Sequence, residues 1–293
     1  MRILFVTSNR LGDAVLSTGL LDHLIRAHPR ARITVACGRV AEGVFARMPN
    51  RTRTIVLDKL PYRLHWPILW FETITTLWDL VVDIRGSAIA WMVPARRRAV
   101  MRSRSGPKIA QLAAILRLDP PPLPVTWIAP EDHARAAALL PADRPVIALA
   151  PTANWRPKVW PAERFAALFR ELAAGPLPGA VPAVFAGPGE WERDLAAPLL
   201  TALPDAIDLT GQLSIPEAAA CLARSAFFAG NDSGLMHLAA AAGVPTLGLF
   251  GPTNAAEYAP SGRCAAAVIA ATRQMQDLSV TQALAAATTL LRQ

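Results

Sequence analysis

Short apolar runs and helix-period segments alternate along the whole chain. The apolar runs fall at residues 3–7, 33–37, 54–57, 80–84, 146–150, 183–185, 226–229, 245–250 and 267–269. Most are separated by segments whose apolar residues recur every three or four positions, as at 13–27, 161–174, 191–203, 215–223 and 235–242. Strand and helix in alternation predict an α/β fold of parallel sheets with helices on both faces. Nine strands are too many for one small sheet, and 293 residues suit two domains. A proline-rich stretch at 119–124 and a second break at 141–145 place the change of domain near residue 143. The expected division is 1–143, 144–278 and a closing helix within 279–293.

Composition narrows the class. At 53% hydrophobic residues the chain has ample material for a core. Cys37, Cys221 and Cys264 are widely spaced, which suggests neither a disulfide framework nor a zinc site and points to a reducing, cytoplasmic compartment. The N-terminus has one arginine and a short apolar run, and reads as a first buried strand rather than a signal peptide. Residues 66–82 are the most aromatic stretch, but Glu72 and Asp79 interrupt it, so it is too short to span a bilayer. Trp66, Trp70 and Trp78 within it suit either packing or contact with a membrane interface or lipid acceptor. The net charge is +8, almost all from arginine, with lysine only at 59, 108 and 158. Arg96, Arg97, Arg98, Arg102 and Arg104 form the one dense basic cluster. It suits an anionic membrane surface, a phosphorylated acceptor or a plain solvated face. No recognition motif accompanies it, so nucleic acid is not expected as a partner.

Four stretches carry candidate chemistry. Residues 230–260 read as a strand end, a polar turn, a helix, a second strand and a Gly-Pro break, with Asn231, Asp232 and Ser233 as successive candidate caps. A helix opening at 232–234 offers free N–H groups to an anion beside the strand ends, and Gly234 allows close approach. Near the N-terminus, Gly12 permits a tight turn and Asp13 begins a helix. There it reads either as a cap or as an ionised carboxylate able to accept a hydroxyl proton. Between strand 146–150 and the helix at Pro161, Thr152 and Lys158 supply a hydroxyl and an ammonium suited to a diphosphate. The glycine-rich turn at 185–192 brings Glu190, with Glu192 as an equal candidate, to a position suited to a ribose hydroxyl or to plain helix capping. There is no G-x-G-x-x-G after the first strand, no Walker motif, no D-x-D carboxylate pair and no G-x-S-x-G elbow. With no D-x-D, the charge of a bound diphosphate would be neutralised by lysine, hydroxyls and helix N-termini rather than by a carboxylate-held cation.

Residues 230–253 resemble the C-terminal signature of glycosyltransferase family 9, the ADP-heptose:lipopolysaccharide heptosyltransferases. The match runs through Gly230, Asp232, Ser233, Gly234, His237, Ala239, Ala240, Gly243, Pro245, Phe250, Gly251 and Thr253. Leu11-Gly12-Asp13 resembles the family's first turn, Thr152 with Lys158, Trp160 and Pro161 its interdomain loop, and Thr210-Gly211 a further turn. The resemblance implies two Rossmann-like domains facing across a cleft (GT-B type), with the closing helix packed back on the first. It implies an inverting, metal-independent glycosyltransferase with no cofactor, which moves heptose from ADP-heptose to a lipopolysaccharide-core or related glycolipid acceptor. Asp13 is then the catalytic base. Thr152, Lys158, Ser233 and Gly234 bind the donor diphosphate, and Asp232, His237 and Glu190 the nucleotide or sugar. The implied location is cytoplasmic, with peripheral contact at the inner face of the membrane. The acceptor region, residues 40–110, has no transferable motif. The alternatives are a nucleotide-sugar epimerase of the same plan and a non-catalytic sugar- or lipid-binding relative.

Overall fold

The computed structural model describes residues 1–58, 60–102 and 105–293. Lys59, and Arg104 of the basic cluster, lie outside the described residues. The chain divides into two compact units, 1–127 and 128–293.

The first unit runs β1 (Arg2–Val6), α1 (Leu11–Ala27), β2 (Arg32–Cys37), α2 (Arg39–Glu42), β3 (Arg51–Val56), α3 (His65–Thr73), β4 (Leu80–Asp83), α4 (Ile89–Met92), β5 (Arg98–Val100) and α5 (Lys108–Leu116). Its strands form a parallel sheet in the order β3-β2-β1-β4-β5. Successive side chains of β1 point to opposite faces. Leu4 and Val6 join a cluster with Leu69, Trp78 and Ile89, while Ile3 and Phe5 are fully buried on the other face. The chain fills one side of β1 with β2 and β3, then crosses to the other side with β4. The carboxyl ends of β1 and β4 therefore flank a topological switch point, the place where such sheets hold ligands.

The second unit runs α6 (Pro130–Leu139), β6 (Val146–Ala150), α7 (Ala162–Ala174), β7 (Val181–Val184), α8 (Glu190–Ala202), β8 (Ile207–Asp208), α9 (Ile215–Arg224), β9 (Phe227–Asn231), α10 (Gly234–Ala242), β10 (Thr246–Phe250), α11 (Ala255–Tyr258), β11 (Ala265–Ile269) and α12 (Val280–Leu290). Its sheet is parallel, in the order β11-β10-β9-β6-β7-β8. The switch point here lies between β6 and β9. Ile147, Leu149, Leu247 and Leu249 pack with Phe165, Leu199 and Ala283, which places α7, α8 and α12 on one face. Helix α12 packs on α7, β10 and β11 of its own unit.

Three features differ from the sequence reading. The division falls at 127/128 rather than at 143/144, because α6 packs against α9 of the second unit. The proline-rich stretch is fastened to the first unit: the Val125 N–H donates to Thr18 Oγ1 at 2.8 Å. A Cβ on Gly19 would stand 2.6 Å from the Pro122 carbonyl oxygen, so the segment lies directly on α1. Two edge strands, β5 and β8, are too short and too polar to show as apolar runs. Of the three tryptophans in residues 66–82, Trp78 belongs to the core, and Trp66 and Trp70 are half-buried.

Candidate functional site

The second unit's switch point is held together by one buried amide. Asn231 ends β9 and is fully buried. Its Oδ1 accepts the Trp160 N–H at 3.0 Å, and its Nδ2 donates to the Pro151 carbonyl at 2.8 Å. Both ends of the loop after β6 are thus tied to the last residue of β9. Trp160 is fully buried, donates from Nε1 to the Leu278 carbonyl at 2.8 Å, and meets Phe165 edge-on at 5.0 Å. This anchoring fixes the neighbouring Lys158.

Lys158 Nζ donates to Asp232 Oδ2 at 2.7 Å and reaches the Asp232 carbonyl at 3.4 Å. The two side chains are only 18% and 9% exposed, so the pair is shielded from solvent screening. An ammonium has three donors, and these contacts use at most two. Asp232 serves this pair and does not cap the helix. The cap residue of α10 is Ser233, whose side chain makes no capping bond, and Gly234 begins the helix. The first N–H groups of α10 therefore open beside Lys158, where an anion gains from both the helix terminus and the cation. Gly243 closes α10 in the left-handed region at φ 87°, a conformation glycine adopts without strain.

The same sheet edge carries hydroxyls that lack hydrogen-bond partners. Thr210 Oγ1, Ser233 Oγ and Thr253 Oγ1 are buried and have none among the described residues. They follow β8, β9 and β10 respectively. Buried polar groups are nearly always paired, so three orphans along one edge mark a polar ligand surface. Thr152, one residue beyond Pro151, is 2% exposed.

The glycine-rich turn after β7 distinguishes the two glutamates. Glu192 Oε2 accepts the Gly187 N–H at 3.3 Å and so folds the turn. Glu190 is exposed at the first position of α8. Trp191 Nε1 donates to the Ala153 carbonyl at 3.0 Å, which ties the start of α8 to the loop after β6. His237 is 4% exposed, one turn into α10. The second unit thus gathers Thr152, Lys158, Asp232, Ser233 and Gly234 at its switch point, sets Glu190 on the rim of that edge, and buries His237 behind it.

Asp13 belongs to the first unit, in the first turn of α1. Ser8 Oγ donates to Asp13 Oδ2 at 3.2 Å and accepts the Arg10 N–H at 3.1 Å, so the carboxylate is oriented by its own loop. Across the switch point, Asp83 accepts the N–H groups of Arg85 and Ser87 and the Ser87 hydroxyl, at 2.8, 2.7 and 2.5 Å. Burial holds the Asp83 carboxyl above its ordinary value, against those hydrogen bonds. Arg85 Nη1 donates to Asn9 Oδ1 at 3.3 Å and its guanidinium lies 4.5 Å from the Trp66 ring centre. Burial lowers the Arg85 pKa.

Sequence reasoning overlooked Asn231, Thr253 and Arg85 as parts of a site. Asn231 stood among the helix caps and Thr253 within the family signature, but their burial, which gives them their weight, is a tertiary property.

Two doubly wound parallel sheets, one of them with a partly buried, ion-paired lysine beside a helix N-terminus at its switch point, define a glycosyltransferase of two Rossmann-like units, the GT-B fold. The chain belongs to glycosyltransferase family 9 (heptosyltransferase), whose model matches residues 90–287. It is 24% identical over 303 aligned positions to lipooligosaccharide heptosyltransferase 2 of Haemophilus influenzae, covering 89% of this chain and 86% of that one. The structure superposes on a family 9 glycosyltransferase of Veillonella parvula with a TM-score of 0.84, at 22% identity and covering 99% and 97% of the two chains. It also superposes on the ADP-heptose lipopolysaccharide heptosyltransferase II of E. coli with a TM-score of 0.79, at 20% identity and covering 100% and 99%.

Proposed function

We propose that this glycosyltransferase moves heptose from ADP-heptose to a hydroxyl of a lipopolysaccharide-core or related glycolipid acceptor, with inversion at the anomeric carbon. The observation that carries the reading is the shielded Lys158–Asp232 pair beside the open N-terminus of α10. The donor and acceptor classes are supported by the names of the similar proteins, an ADP-heptose enzyme and a lipooligosaccharide enzyme.

In this reading Lys158, Thr152, Ser233 Oγ and the first N–H groups of α10 hold the diphosphate. The charge that develops on the bridging oxygen as the C–O bond breaks is met by donors already fixed in place, so little reorganisation is required at the transition state. Asp232 keeps Lys158 aimed, and with His237 and Glu190 it serves the sugar and nucleotide. Asp13 accepts the acceptor hydroxyl proton. The acceptor oxygen forms the new bond to the anomeric carbon on the opposite face, and ADP leaves with the electron pair. The work takes place at the cytoplasmic side of the membrane, where a nucleotide-sugar donor meets a membrane-held acceptor.

The test follows ADP release with ADP-heptose and a heptose-deficient lipopolysaccharide core, in wild type and Asp13→Asn. Transfer is expected to fall at least 10²-fold in the variant, the scale of a lost general base, while thermal stabilisation by ADP persists. Transfer near the wild-type rate would remove Asp13 from the chemistry. Stabilisation by UDP- or GDP-sugars alone would overturn the donor.

A further inference from the structure

The first unit carries an apolar face that its own fold leaves uncovered. Thirteen large apolar side chains are exposed among the described residues, and eight of them lie between 60 and 92. Helix α3 turns His65, Leu69 and Thr73 inward. Its opposite side presents Ile68 and Phe71, in line with Leu64 just before the helix, at the four- and three-residue spacing of one helical stripe. Phe71 meets the Trp70 ring edge-on at 5.0 Å and is still 69% exposed, an unusual state for a phenylalanine. Helix α4 lies against α3, joined by the bond from Trp70 Nε1 to the Met92 carbonyl, and it presents Trp91 and Met92 at 60% and 56% exposure. A contiguous apolar patch of this kind marks an interaction surface.

The charge beside the patch points to its occupant. Residues 60–102 contain six arginines, no lysine and three acids. The acids are engaged: Glu72 pairs with Arg53, Asp79 accepts the Arg2 N–H and lies near Arg96, and Asp83 is buried. Arg98 is pinned by the carbonyls of Ala90, Val93 and Ala95, which holds its guanidinium 5.9 Å from the Trp91 ring centre. Arg96 and Arg97 are exposed beside it. Apolar and tryptophan tips rimmed by arginine match the depth profile of a bilayer interface, where rings enter the acyl boundary and cations stay with the phosphates. Among the described residues no helix is long and apolar enough to cross a membrane, so the contact would be peripheral.

We propose that the exposed face of α3 and α4 docks this chain on a bilayer surface bearing anionic phospholipid headgroups. The proposal rests on the glycolipid-acceptor reading, because it supplies the route by which a membrane-held acceptor is presented. The buried side of the same helix reaches the base: Trp66 stacks with Arg85, Arg85 bonds Asn9, and Asn9 lies in the loop that carries Asp13.

The experiment is co-sedimentation of the full chain with vesicles of pure phosphatidylcholine and with vesicles containing about 30% phosphatidylglycerol, a proportion that gives a cytoplasmic-leaflet-like surface charge. Wild type is expected to bind the anionic vesicles and to bind the neutral ones at least tenfold more weakly. Ile68→Ser/Phe71→Ser should lower the partition coefficient by about tenfold or more. Arg96→Gln/Arg97→Gln should lower it by about fivefold per charge. Both variants should keep the wild-type thermal shift with ADP. Absence of wild-type binding, or binding unchanged by Ile68→Ser/Phe71→Ser, overturns docking. So does a wild-type dimer in sedimentation velocity that this variant dissolves, since the face would then belong to a second copy. The two readings fail separately: an ADP response without vesicle binding removes only the docking, and vesicle binding without an ADP response removes only the donor assignment.

Discussion

Asn231 contributes to the site as a joint. Replacing it with alanine would leave the Trp160 N–H and the Pro151 carbonyl buried and unsatisfied, at about 1–3 kcal/mol each. Asn231→Ala is therefore expected to lower the urea midpoint and to weaken ADP binding together, because the loop carrying Lys158 loses its tether. Unchanged ADP affinity in a destabilised variant would show that Lys158 is placed without it. The thiols behave differently from one another. Burial pushes Cys37 up to about 12 and Cys221 up to about 11, so neither forms thiolate near neutral pH. Cys264 is half-buried, with Sγ 3.4 Å from the Leu290 carbonyl. One fast-reacting thiol is expected with a thiol reagent in the native protein and three in denaturant, and peptide mapping should assign the fast one to Cys264.

At the scale of the element, helix ends are where local sequence governs most directly. Ser214 and Glu217 form a reciprocal capping box at the start of α9, with the Ser214 N–H and hydroxyl donating to Glu217 at 2.8 and 2.7 Å. Those bonds hold the Glu217 carboxyl below its ordinary value of 4.5. A carboxylate whose folded pKa is depressed stabilises the fold above the unfolded value and loses that contribution as pH falls through the folded one. Ser214→Ala is expected to cost about 1 kcal/mol at neutral pH. The gap between variant and wild type should narrow as pH drops below 4.5, measured by urea unfolding at several pH values. A constant gap across that range would mean the hydroxyl acts without the carboxylate. Strands carry a different signal. Central strands such as β1, β6 and β10 were legible as unbroken apolar runs because both of their faces are covered. The edge strands β5 and β8 were not, since one neighbour is missing and polar residues are tolerated there.

At the scale of the whole molecule, the proline-rich segment was expected to act as a linker between domains, and it is bound along α1 instead. Gly19 is the contact that permits this. Its absent side chain leaves room for the Pro122 and Leu123 carbonyl oxygens, both of which would lie under 3 Å from a Cβ. Gly19→Ala must shift backbone, at about 1–3 kcal/mol, and is expected to make residues 119–127 an early site of limited proteolysis. The ADP-dependent thermal shift should persist, because every residue assigned to the diphosphate lies in the second unit. Loss of that shift would show that the two units are energetically coupled through this segment.

The sequence by itself determined the alternation of parallel strand and helix, the central strands, the ends of α9 and α10 to within a residue or so, and the turns that carry Asp13, Lys158 and Asp232. Each of these is written in a short window, through hydrophobic period, capping residues or glycine spacing. The tertiary structure alone decided the domain boundary, the joining of Lys158 to Asp232 across 74 positions, the clamp at Asn231 and the uncovered face of α3. Those depend on which residues come together from distant parts of the chain and which are left in water, and a local pattern does not record pairing or burial. Ile68 and Phe71 have the spacing of a core stripe, and only the packing of α3 shows that they face outward.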